Sequence, residues 1–111
     1  MRRLILALCA SIALACTSPT LPLPPPVAPS ITSGAEPNTF RLSSERGSQP
    51  NALIIVVNRN EALSREDRVN GTLADENGTW DVTIKGAVGD FVDIAQESDS
   101  ARSASTTVQL R

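Results

Sequence analysis

Apolar and polar residues alternate most strictly in "TWDVTIK", where Trp80, Val82 and Ile84 fall on one face of an extended chain and Thr79, Asp81, Thr83 and Lys85 on the other. A period of two is the pattern of a strand with one face buried. "STTVQLR" repeats it, opposing Thr106, Val108 and Leu110 to Thr107, Gln109 and Arg111. "TFRLS" and "DFVDIAQ" predict two more strands, with Phe40 and Leu42, and Val92 and Ile94, as their inward pairs. "RVNGTLA" predicts another that points Val69, Gly71 and Leu73 one way. The run "ALIIVVN" is apolar throughout and β-branched, so it is expected to be covered on both faces near the centre of the fold.

Turn chemistry joins these pieces. "ENGT" places Asn77 and Gly78 where a two-residue hairpin needs positive φ at both central positions, so residues 68–75 and 79–85 are expected to pair as neighbours. "KGAVGD" offers Gly86 and Gly89 for the next reversal, and "RNEALSRED" is a polar connection with room for one helical turn around Leu63. About six short strands with no long helix define an all-β class, a small antiparallel sandwich over residues 38–111.

The chain begins differently. Arg2 and Arg3 precede the apolar run "LILALCASIALA", which ends in small residues, the order of an export signal. Twelve residues are too few for a membrane span, which takes roughly 20. Two cuts fit. "ALA" satisfies the A-x-A preference of an ordinary signal peptidase, which would leave Cys16 an incidental residue of a secreted or periplasmic soluble protein. "ALAC" resembles the lipobox of bacterial lipoproteins, with cleavage between Ala15 and Cys16. Residues 1–15 are the signal peptide in that reading, and Cys16 is the only cysteine left in the mature chain. An exported protein with one unpaired thiol is prone to unwanted disulfides, and acylation removes that hazard. The resemblance implies acyl chains on Cys16 and membrane lipid as the partner that holds it. Thr17, where an Asp tends to retain such proteins in the inner membrane, implies the outer membrane.

Residues 17–37, "TSPTLPLPPPVAPSITSGAEP", carry seven of the eight prolines and no aromatic residue. Proline fixes its own φ and biases its predecessor towards extended forms, so residues 16–37 are expected to form a disordered, lipidated linker sampling polyproline II. At about 3.1 Å per residue the full reach is roughly 65 Å. "PLPPP" also presents the face that proline-recognising partners bind.

"GTLADENGTWDVTIKGAVGDFVDIAQESD" resembles the central hairpin and following strand of bacterial immunoglobulin-like modules. Their T-A-D-x-x-G-x-aromatic-x-V pattern is met by Thr72, Ala74, Asp75, Gly78, Trp80 and Val82, with Leu73 inserted. With a lipobox and a proline-rich linker, the chain is similar to small envelope lipoproteins carrying one such module. The resemblance implies an immunoglobulin-like sandwich, for which other envelope proteins are one candidate class of partner.

Chemistry narrows the function further. The chain has no histidine, hence no usual general base near neutral pH and no commonest zinc ligand. The sole lysine, Lys85, lies on a strand's polar face. No catalytic, cofactor-binding or metal residues are expected, and the protein is expected not to be an enzyme. Asp90, Asp93, Glu97 and Asp99, with Asp75 and Glu76 at the hairpin, read as a solvated acidic rim without the dense ligand spacing of a calcium loop. Removing the signal leaves eight basic residues against twelve acidic, a net charge of −4 with no basic stripe, which argues against nucleic acid as partner. Asn70 and Asn77 head "NGT" triplets that read as turn residues. Two functions remain: an interaction or structural module displayed in the envelope, or a polysaccharide- or calcium-binding module built on the hairpin and residues 90–99. An exposed Trp80 would favour the second and a buried one the first.

Overall fold

The computed structural model describes residues 22–111. Eight strands form two antiparallel sheets: β1 (Ser30–Ser33), β2 (Thr39–Ser44), β3 (Leu53–Asn58), β4 (Val69–Leu73), β5 (Trp80–Lys85), β6 (Phe91–Ser98), β7 (Ala101–Arg102) and β8 (Thr106–Gln109). One sheet runs β1-β2-β5. The other runs β4-β3-β6, with β7 and β8 both pairing with β6. Because β7 meets Glu97 and Ser98 while β8 meets Phe91 to Ile94, the two are halves of one edge strand interrupted at Ser103–Ser105. The order is immunoglobulin-like, with the fourth strand joined to the third rather than to the fifth.

Period-two patterning places the core. Phe40 and Leu42 from β2 and Trp80 and Ile84 from β5 meet Ile54 and Val56 from β3 and Val92 and Ile94 from β6, with Leu110 closing one end. Each sheet thereby buries one face against the other. Val82 and Val108 pack on the margin, as their parity requires. The expectation for "ALIIVVN" holds on one face only. Ile54, Val56 and Asn58 are buried, while Leu53 is exposed and Ile55 and Val57 are half-buried, because no third layer covers the outside of this sheet.

The expected pairing of β4 with β5 is corrected by the structure. β4 pairs with β3, and β5 pairs with β2 in the opposite sheet, so the "ENGT" turn carries the chain across the sandwich. Of the two central residues, only Gly78 has positive φ, +79°. A type I′ hairpin turn needs it at both. Instead, the Asp75 carboxylate accepts from the amides of Asn77 (2.8 Å) and Thr79 (3.0 Å), and the Gly78 amide donates to the Asp75 carbonyl at 3.0 Å. That side-chain-centred turn imposes no ladder on the flanking strands. In this arrangement Val69 and Leu73 point to solvent. Gly78 also lies against the β2–β3 connection, where an added Cβ would come 2.2 Å from the Ser48 carbonyl oxygen. Gly78→Ala is therefore expected to destabilise by more than about 1 kcal/mol, read as a lowered urea midpoint at unchanged slope.

The largest difference lies at the linker. Residues expected to hang free up to Pro37 include β1, which pairs with β2 from Ser30↔Ser43 to Ser33↔Phe40. Upstream of it, Pro26 and Pro29 are buried and the Val27 amide donates to the Gly47 carbonyl at 2.9 Å. The Pro24 and Pro26 carbonyls accept from Gln96 Nε2 and Thr106 Oγ1 respectively. Proline lacks an N–H but keeps its carbonyl and its apolar ring, and extended φ suits an edge that needs few donors. The body thus begins near Pro24 and not at Asn38.

A single helical turn, α1 (Arg65–Arg68), is capped by Ser64, whose hydroxyl accepts from the Asp67 amide. It bridges the sheets: Arg68 Nε donates to the Asn58 carbonyl of β3, and Asp67 pairs with Lys85 of β5 at 3.1 Å.

Candidate functional site

Cys16, the expected lipid attachment, and Ala15, on the other side of the expected cut, lie outside the described residues. The remaining candidates are the carboxylates and Trp80, and each has a clear place. Trp80 is 3% exposed, inside the core, so it is no stacking platform for sugars. Its indole Nε1 has no hydrogen-bond partner among the described residues.

The acidic residues are separated, and Asp75, Asp90, Asp93 and Glu97 are each individually engaged. Asp93 receives Arg59 in a two-pronged pair at 2.7 and 2.8 Å, and Thr107 Oγ1 donates to it at 2.6 Å. Glu97 shares the outer face of β6 with Asp93, but four residues along a strand set them about 13 Å apart, and its neighbour is Arg102 at 3.8 Å. Asp90 gathers Asn58 Nδ2 (3.1 Å), Asn60 Nδ2 (3.2 Å) and the Ala87 amide (2.9 Å), closing the β5–β6 loop over the end of β3. Asp75 is consumed by its own turn. Among the described residues no three His, Cys, Asp or Glu side chains converge as metal ligands, and no helix is long and apolar enough to cross a membrane.

These contacts act on the acid side of stability. At Asp93 the Arg59 hydrogen bond comes first, ahead of the opposing desolvation, and holds the carboxyl below its ordinary value. At Asp90 desolvation is the largest single influence and pushes upward, yet the bonds from Ala87, Asn58 and Asn60 together outweigh it and the net direction is down. A carboxyl depressed in the folded state stabilises fully above its unfolded value of about 3.9, and that contribution vanishes as pH falls through the lower folded value. Asp93→Asn is expected to lower the melting temperature at pH 7 and to differ much less from the parent at pH 2, as followed by thermal unfolding at both.

Two polar residues matter that the pattern did not single out. Gln96 is buried at 1% exposure; its Oε1 accepts from the Gln49 amide and its Nε2 donates to the Pro24 carbonyl, each at 2.7 Å. Its backbone exchanges hydrogen bonds with Ser103, which fills the gap between β7 and β8. Asn58, also at 1%, accepts from the Asn60 amide and donates to the Lys85 carbonyl. The signal was parity. Gln96 is in phase with Val92 and Ile94, and Asn58 with Ile54 and Val56.

The site that emerges is a small all-β sandwich whose charged and amide side chains secure loops and sheet edges. The chain matches no protein-family model and no curated protein.

Proposed function

We propose that this protein is a non-enzymatic lipoprotein of the bacterial cell envelope, anchored through acyl chains on Cys16 and presenting one small immunoglobulin-like sandwich for structural or protein-interaction roles. The observation that carries this reading is the order at the start of the chain: two arginines, a short apolar run, and a small residue before the only cysteine of the mature chain. Its likeness to the lipobox accounts for an otherwise unpaired thiol in an exported protein. Thr17 after the cysteine favours the outer membrane. The "T-A-D-x-x-G-x-aromatic-x-V" likeness supports reading the body as a module similar to the bacterial immunoglobulin-like ones. A core position for Trp80 favours an interaction module over a sugar-binding one. The partners are other envelope proteins, and the sides of β4 and β5 that pair with no strand among the described residues offer backbone donors and acceptors to which a partner strand can add.

Intact-mass spectrometry of the protein extracted from membranes tests the anchor. The reading predicts a chain starting at Cys16 with the added mass of acyl groups, and loss of membrane association in Cys16→Ala. A soluble chain starting at an unmodified Cys16 contradicts it.

A further inference from the structure

The packed proline segment changes where the body can sit. Pro24 is fixed at the pole formed by the end of β6, the start of β3 and the end of β4, because Gln96, which holds it, is the cross-strand partner of Ile54, and the adjacent pair is Leu53 and Glu97. Leu53 in turn opposes Leu73 of β4. These two leucines, 37% and 70% exposed, line an open depression with Pro50, Asn51, Glu97 and Asp99. From Cys16 to Pro24 there are only eight residue steps. Fully extended, they reach about 28 Å.

We infer that this short leash holds the Leu53–Leu73 corner against the bilayer and turns the opposite pole, with Val88, Phe91 and the C-terminal Arg111, away from it. The inference rests on acylation of Cys16. β6 alone, at eight residues, separates the two poles by about 26 Å. For the far pole to reach lipid, the leash must be stretched almost to its limit, at a large loss of conformational freedom. The near pole meets lipid with the leash relaxed. The partner is a zwitterionic lipid surface: Glu45, Asp75, Glu76, Glu97 and Asp99 outnumber Arg46 and Arg102 at this pole and leave it net acidic, so it is repelled by anionic headgroups, while the two leucines supply apolar contact at the interface.

The test is methyl NMR of the full mature chain on phosphatidylcholine nanodiscs containing a nitroxide-headgroup lipid. Relaxation enhancement is expected to be several-fold larger at Leu53 and Leu73 than at Val88. Equal or larger enhancement at Val88 overturns the inference. Inserting a ~20-residue Gly/Ser stretch after Thr20 adds about 25 Å of average reach and is expected to erase the difference; its persistence overturns the leash as the cause. The same measurement on protein whose free Cys16 thiol is coupled to a maleimide lipid gives the orientation even where natural acylation is absent. Failure of the anchor, read by mass, is therefore distinct from failure of the orientation.

Discussion

A chain cut to begin at Asn38 is expected not to fold cooperatively, although it contains seven of the eight strands found among the described residues. The cut removes β1 and with it Ile31, which packs on the core cluster, together with the buried Pro26 and Pro29. Fully burying one large aliphatic side chain contributes about 1.5–3 kcal/mol; the half-buried Ile31 gains part of this, and the proline rings add to it. The cut also removes the Pro24 carbonyl to which Gln96 Nε2 donates and opens that buried side chain to water, a net loss of about 1 kcal/mol for the hydrogen bond. A domain this small has a total stability of roughly 5 kcal/mol to draw on and gains no disulfide. Urea unfolding followed by Trp80 fluorescence is expected to give a cooperative transition for the chain from Pro22 and none for the chain from Asn38. Equal midpoints for the two would return the proline segment to the role of a free linker.

Trp80→Ala is the second large effect, at about 3–5 kcal/mol, enough to leave the domain largely unfolded at 37 °C. Trp80 pairs with Ser44 of β2 and stands in phase with Ile84 in the hydrophobic core. The indole Nε1 is buried with no partner among the described residues, so the wild-type side chain carries a desolvation cost of about 1–3 kcal/mol. Trp80→Phe sheds that cost while keeping most of the apolar volume, and is expected to lose less than half as much stability as the alanine variant. Circular-dichroism melts of the three proteins give the comparison. A phenylalanine variant as unstable as the alanine one would mean that Nε1 is satisfied by water.

Alternation made much of this fold legible. The inward sets Trp80/Ile84, Phe40/Leu42 and Val92/Ile94 all lie in the core, since a half-buried strand leaves a period-two record in its side chains. Pairing leaves a weaker record. Asn77-Gly78 carries the composition of a hairpin turn, but Asp75 competes for the same amides and sends the strands to different sheets. β4 shows the opposite misdirection: Val69 and Leu73 are its apolar residues, yet they face outward because β3 sets its register. The proline segment was illegible for a different reason. Its packing depends on two carbonyls meeting Gln96 and Thr106, and residues 72 and 80 positions away along the chain leave no local trace in composition.

The candidate site divides the same way. Cys16 is proposed from its neighbours alone, since export signals are read as linear sequence, and it lies outside the described residues. The roles of Asp90 and Asp93 are set by partners on β3, the β3–α1 connection and β8, which only the folded chain brings close.

The claim on which both the stability and the leash depend is that the chain joins the body at Pro24. Amide hydrogen exchange at Val27 tests it most directly, since that N–H lies among the prolines and donates to Gly47. The account predicts protection within reach of that of the core strand β2. Exchange at the rate of an unstructured peptide would contradict it.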